Sequence, residues 1–473
     1  MKQKLGVLLS LCLFATAVLA ANVPVRAPTG MVVSANASSS AIGVDVMKRG
    51  GNAVDAAIAV AFSLAVTHPT AGNIGGGGFL IHQDASGAAT AYDFRETAPA
   101  ASHPEMFMVD GEYRRELHHL SHLSVGVPGT VAGLYLAWQD GGSLPWKDLL
   151  APAIGQARDG IVVTDGLARS LRRVLPRMEK YPASIQKFTD GGTPMEAGQL
   201  WRQPDLAAAL QRIAEHGPDG FYKGRTADLI VAEMQRGGGI ITHEDLAGYK
   251  PVRRAPIRGT YRGYEILSMP PPSSGGVTLI QMLNILEGFD IAASGFGSAD
   301  TLHLMTESMR RAYADRARHL GDPDFVEMPL ERLASKEYAN EQRKSIREFV
   351  ASGSSPDSFT WPAESTETTH FSVVDGQRNA VSLTYTLEYG YGSGIVVPGA
   401  GFLLNNEMGD FNAGPGLTDS TGLIGTPANL AAPGKRMLSS MTPTIVNTDG
   451  DVFMVTGTPG GRTIINTVLQ TIL

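Results

Sequence analysis

Residues 53–66 read Ala-Val-Asp-Ala-Ala-Ile-Ala-Val-Ala-Phe-Ser-Leu-Ala-Val, apolar almost all round. A helix with a single apolar stripe can lie on a surface, but one that is apolar on every side must be covered on both. This stretch therefore predicts a helix buried between layers, as in a layered α/β sandwich, with Asn52 as its N-cap. Leu279 to Leu286 and Thr301 to Leu320 read as amphipathic helices. A hydrophobic content of 43% against 18% charged residues fits a well-buried globular protein, and 55 glycines mark many tight turns and close backbone approaches. No repeat or low-complexity tract interrupts the chain.

A second pattern carries chemistry. Thr368 to Asp375 and Asn379 to Thr386 read as two strands joined by the three-residue loop Gly376-Gln377-Arg378. Antiparallel pairing about Gln377 sets Thr369/Tyr385, Phe371/Leu383 and Val373/Val381 on an apolar face. It sets Thr368/Thr386, His370/Thr384 and Ser372/Ser382 on a small polar one. A one-residue slip would scramble both faces, so the register is well specified. Taken alone, the hairpin needs no function, since threonine is a good strand former. A cut between Glu367 and Thr368 would change that. Thr368 would then carry its own α-amine, titrating at about 7.7–8 and able to take the hydroxyl proton near neutral pH.

The ends of the chain bear on compartment. Met1 to Lys4 is basic, Leu5 to Phe14 apolar, and Val18-Leu19-Ala20 a small-residue cleavage site, so residues 1–20 read as a secretory signal. The one cysteine, Cys12, lies within it, behind Leu11, which suits neither a lipid anchor nor, after removal, any disulfide. The expected product is exported, periplasmic or secreted, with no membrane span. Loss of Lys2 and Lys4 takes the formal charge from −7 to about −9. That argues against nucleic acid and anionic membranes, so an anionic ligand would need a local cationic site. Ser352 to Glu367, rich in Ser, Pro, Thr and acidic residues, reads as an exposed segment leading into Thr368. At the other end, Arg462 to Leu473 reads as the start of a helix that stops without a cap, its apolar face incomplete.

Nine strings, in order, resemble the γ-glutamyltransferase family of N-terminal-nucleophile hydrolases. They are Gly51 to Ala57, Gly72 to Phe79, Asp93 to Pro99, Gly126 to Gly133, Pro271 to Gly276, Thr368-Thr369-His370, Leu404 to Met408, Leu438 to Met441 and Thr458 to Gly461. Each alone is a weak Gly- or Ser-rich string; together they are specific. The resemblance implies an α+β fold, a four-layer αββα sandwich, in a precursor that cuts itself. Residues 21–367 would form a large subunit and 368–473 a C-terminally incomplete small one, held as a heterodimer. It implies an enzyme that cleaves glutathione and other γ-glutamyl amides through an ester on Thr368, then passes the acyl group to water, an amino acid or a dipeptide. No cofactor or metal is implied.

By the same resemblance Thr386 orients Thr368, and Gly460 and Gly461 form the oxyanion hole. Arg95, with Ser439 and Ser440, grips the substrate α-carboxylate, a task suited to a planar guanidinium fork. Glu388, Glu407 and Asp410 hold the α-ammonium. Many bacterial relatives have asparagine where Glu388 stands, and several place a tyrosine where the Asn412 to Thr426 lid has Thr421. Taken singly, Arg95 could be a surface ion pair with Glu96 or Asp93, and each carboxylate a solvated loop residue. His118, His119 and His122 lack a further Cys or acidic partner at metal-site spacing. Arg169, Arg172, Arg173 and Arg177 read as a solvated helix face. Gly75 to Gly78 lacks the Lys-Ser/Thr of a phosphate loop, and no nucleophile-elbow string supports a Ser-His-Asp triad. Two alternatives remain: a β-lactam side-chain (glutaryl) acylase of the same family, and a non-catalytic exported binding protein.

Overall fold

The computed structural model describes residues 24–347, 349–353, 367–418 and 424–473. The signal segment, most of the Ser352 to Glu367 approach and Thr421 therefore lie outside the described residues.

The all-apolar helix runs from Ala53 to Thr67 with every residue buried. Asn52 caps it as expected: its side chain accepts from the amides of Val54 and Asp55, while Asp55 accepts in return from the amide of Asn52. This reciprocal pairing satisfies donors that a helix start otherwise leaves open. Helices Ala37–Lys48 and Trp146–Asp159 cover one side of it, and the Thr368–Thr386 hairpin covers the other. Tyr385 fixes the contact by donating to the carbonyl oxygen of Ala61 at 2.9 Å.

The hairpin forms in the expected register, with strands Thr369–Val374 and Ala380–Thr386 pairing Thr369 with Tyr385, Phe371 with Leu383 and Val373 with Val381. Asp375 and Asn379 close the three-residue loop, and Arg378 takes the left-handed conformation at φ 72°. The hairpin is not an exposed ribbon. It lies inside a six-stranded antiparallel sheet whose order is Met31–Val33, Thr369–Val374, Ala380–Thr386, Gly77–Gln83, Ala89–Phe94, Val252–Arg254. Its apolar face joins the buried helix in one core. Its polar face meets a second sheet, ordered Ile257–Tyr261, Tyr264–Ser268, Thr444–Thr448, Asp451–Thr456. There the hydroxyls of Ser372 and Ser382 donate to the carbonyl oxygens of Val455 and Thr456. The serines of the small polar face are thus a bonded seam between sheets, which is how buried hydroxyls avoid a desolvation cost.

Helix Gly275–Leu286 lies on the second sheet, and helices Ala299–His319, Lys336–Arg343 and Thr463–Ile472 pack around it. Its amphipathic reading is corrected: all twelve residues are buried. Gln281 and Asn284, which suggested a wet face, bond Asp315 and the carbonyl oxygen of Ala334. Ala299–His319 is amphipathic as expected. Among the described residues no helix is long and apolar enough to cross a membrane.

Candidate active site

Thr368 enters its strand where Thr386 leaves the paired one, so the hairpin register brings the two hydroxyls to 3.4 Å. In this uncut chain the Thr368 hydroxyl donates to the carbonyl oxygen of Glu367 at 2.6 Å. Thr386 in turn accepts from the amide of Glu388 at 3.0 Å. His370 is not a rival base, because burial pushes its ring down to about 3. Both of its nitrogens are bonded to hydroxyls, of Thr384 and Ser372.

The end of the Thr386 strand is pinned by neighbours that sequence reasoning passed over. Asn73 donates to the carbonyl oxygen of Thr386 and accepts from the amide of Gly76 and the hydroxyl of Thr130. Gly76 lies so close that a β-carbon there would sit 2.1 Å from the Thr386 carbonyl oxygen. The glycine run is thus a strand-packing requirement. Asn405 bridges the carbonyl oxygens of Gly75 and Gly126 and accepts from the amide of Glu407. The only sequence signal for both asparagines was their place within the matched strings.

Nine of the ten predicted site residues line one cavity; Gly460 does not, although Gly461 does. Both glycines have positive φ, 133° and 55°, in the turn that opens helix Thr463–Ile472. Arg95 forms one wall and is fully buried, which overturns the surface-pair reading. Its two terminal nitrogens bond Glu407 and Asp410, its Nε donates to the carbonyl oxygen of Met437 at 3.2 Å, and Glu96 lies 3.7 Å away. Two of the carboxylates expected to meet a ligand ammonium, Glu407 and Asp410, therefore hold the arginine. Glu96 is a second residue that was undervalued: fully buried, neither of its oxygens has a hydrogen-bond partner among the described residues. Burial pushes the Glu407 carboxyl up to about 8, against the pull of Arg95, and drives Glu96 well up as well.

Glu388 sits in the left-handed region at φ 75°, a strained place for a non-glycine residue. Its carboxylate bonds His119 and Asn406. Ser440 accepts from Arg316, a buried residue on Ala299–His319 that also bonds Ser274. Ser439 accepts from the amide of Met441. Asn412, where the expected lid begins, donates to the carbonyl oxygens of Thr426 and Asn429.

The three histidines go to separate partners: His118 to Tyr113 and the Met408 carbonyl oxygen, His119 to Glu388, His122 to Glu233. The solvated-face reading holds for Arg169 but is corrected for Arg177. That residue is half-buried and donates to the carbonyl oxygens of Gly390 and Gly392.

Residues 39–473 match the gamma-glutamyltranspeptidase family. A glutathione hydrolase proenzyme of Escherichia coli (strain K12) is 51% identical over 458 residues, covering 95% of this chain and 78% of the relative. The crystal structure of the Helicobacter pylori gamma-glutamyltranspeptidase superposes with a TM-score of 0.69 at 42% identity, covering 70% of this chain and 95% of that one. A cephalosporin acylase from Bacillus halodurans superposes with a TM-score of 0.81 at 29% identity, covering 96% and 82%. With its threonine hairpin, its buried arginine–carboxylate cage and a match over nearly its whole length, the chain belongs to the gamma-glutamyltranspeptidase family.

Proposed function

We propose that this chain is the precursor of a γ-glutamyltransferase that also hydrolyses glutathione. The observation that carries the reading is the Thr368 hydroxyl beside Thr386, in one cavity with the buried Arg95 and the carboxylates of Glu388, Glu407 and Asp410. The Thr368 hydroxyl first attacks the Glu367 carbonyl carbon; collapse breaks the Glu367–Thr368 C–N bond, frees the Thr368 amine and leaves an ester, which water then hydrolyses to the Glu367 carboxylate and the free Thr368 hydroxyl. The product is a large subunit, 21–367, paired with a small one from Thr368 onward, after removal of the signal 1–20 on the way to the periplasm or medium. The Helicobacter pylori chain aligns over 95% of its length yet covers only 70% of this one, as a separate large subunit would. The two facing sheets with helices outside each accord with a four-layer αββα sandwich.

In the mature enzyme the α-amine of Thr368 takes the hydroxyl proton, and the oxygen attacks the γ-carbonyl carbon of the donor. The amides of Gly460 and Gly461 receive the developing oxyanion. Collapse expels the amine, which leaves with the proton, and a γ-glutamyl ester remains on Thr368. Water or an acceptor amine then attacks this ester and frees the hydroxyl. Arg95, Ser439 and Ser440 hold the donor α-carboxylate; Glu388, Glu407 and Asp410 take its ammonium. No step calls for a cofactor.

The glutaryl acylase reading has the Bacillus halodurans likeness behind it, at 29% identity against 51% for the Escherichia coli relative. The test is kcat/KM for matched γ-glutamyl and glutaryl anilides with the processed enzyme. A strong γ-glutamyl preference is expected, narrowed by Asp410→Asn, which damages only the γ-glutamyl rate. Equal values would promote the acylase.

A further inference from the structure

We propose that Arg177, assisted by Arg173, binds the free carboxylate of the leaving peptide and of the acceptor, in a place that the Glu367 side chain fills until the chain is cut. This deepens the γ-glutamyltransferase reading and rests on it. Both arginines lie on helix Asp165–Met178, four residues apart and so on one face. Glu367 lines the same cavity as Thr368. Its side chain lies against Gly390, where a β-carbon would come within 2.8 Å of its Cγ and 3.2 Å of its Cδ. Arg177 donates to the carbonyl oxygen of that same Gly390, and to Gly392 at 3.1 Å. Its Nε is buried with no hydrogen-bond partner among the described residues, so part of the fork is uncommitted. Burial raises the Glu367 carboxyl, and Arg173 and Arg177 are the two cations that oppose the rise.

Cleavage changes who occupies this corner. Thr368 stays in its strand, while Glu367 becomes the last residue of a separate chain and is free to leave. Beside the nucleophile there would then remain a cationic place shaped by a carboxylate. Glutathione carries two carboxylates, one on the γ-glutamyl group and one at its glycine end, and Arg95 can serve only the first. Amino acid and dipeptide acceptors likewise bring a carboxylate with their attacking amine. A half-buried, partly uncommitted guanidinium is the group to receive it.

The test compares two donors sharing the γ-glutamyl group: glutathione, whose leaving group carries a carboxylate, and a γ-glutamyl anilide, whose leaving group does not. In processed Arg177→Gln the ratio of kcat/KM for glutathione to that for the anilide should fall roughly ten- to a hundred-fold. Arg173→Gln, at an exposed position with no backbone hydrogen bond among the described residues, should move the ratio the same way by a smaller factor. Transfer to glycylglycine should lose more than transfer to glycylglycinamide. Because Arg177 also holds two backbone carbonyls, an equal fall for both donors would mean a structural role and would overturn the inference. So would an unchanged ratio in both variants. An unmutated enzyme that turned over neither donor would instead sink the underlying γ-glutamyl reading, and this one with it.

Discussion

Glu407→Gln is the sharpest probe of the cage, because it keeps the side-chain shape and removes only the acid. Burial raises the Glu407 carboxyl from 4.5 to about 8, with Asp410 and Glu388 adding to the rise and Arg95 opposing it. Between those limits the folded chain binds a proton that the unfolded chain does not. Stability is therefore fully present below about pH 4.5 and falls as pH rises towards 8. At about 1.36 kcal/mol per pH unit, the loss accumulated by pH 8 is on the order of 4–5 kcal/mol. Glu96 shares the cage and rises partly because of Glu407, so replacing one carboxyl recovers only part, on the order of 2–3 kcal/mol. In a Thr368→Ala background, which keeps one chain, urea unfolding followed by tryptophan fluorescence should find Glu407→Gln more stable than its parent at pH 8. The gap should close to within about 1 kcal/mol near pH 5. A Gln variant less stable at pH 8, or a gap independent of pH, would mean that Glu407 is ionised and bound to Arg95 as a net stabilising pair, and would refute the argument.

Two further outcomes are expected. Mass analysis should find the full-length enzyme split before Thr368, and Thr368→Ala as a single chain; a small piece beginning at any other residue would remove Thr368 as nucleophile. Arg95→Ala leaves the buried Glu407 and the part-exposed Asp410 without their cation and should lower stability, whereas Arg95→Lys should fold, cut itself and show KM for a γ-glutamyl anilide raised roughly ten-fold, since ammonium cannot form the paired fork; an unchanged KM would take Arg95 out of the site.

What could be read from the sequence was what repeats at short range. The Thr368–Thr386 register followed from period-two alternation around a loop of known length, and the Ala53–Thr67 helix from apolar residues on every side. Where the pattern depended on distant partners, reading failed. Gln281 and Asn284 look wet until Ala299–His319 and the segment at Ala334 cover them. Glu96 looks like a surface charge because its cover comes from other segments: Gly77 and Gly126 press on it, and Glu407 reaches its neighbour Arg95 from 312 residues away. Arg316 reaches Ser440 across 124 residues, and Arg177 reaches Gly390 across 213. No periodicity announces such contacts; only the order of the matched strings brought Arg95, Glu407 and Asp410 into one expectation.

Donor choice follows from counting charges in that cage. It holds one guanidinium and the carboxyls of Glu96, Glu388, Glu407 and Asp410, and two of these bond the arginine. An entering α-carboxylate must displace Glu407 or Asp410 from Arg95, and a displaced carboxylate needs a new partner. On the proposed reading, a γ-glutamyl head supplies one in its own ammonium: the ligand adds one charge of each sign, and two ion pairs stand where one stood. A glutaryl head makes the same displacement and offers nothing in return, leaving an extra anion about 4 Å from an unpaired carboxylate. At an effective dielectric near 20 that repulsion is about 4 kcal/mol, close to a thousand-fold in affinity. Asp410, the most exposed of the carboxylates that bond Arg95, is the one a ligand can turn most easily. That is why Asp410→Asn should lower the γ-glutamyl rate, by removing a partner of the ammonium, and raise the glutaryl rate, by removing the carboxylate that repels it.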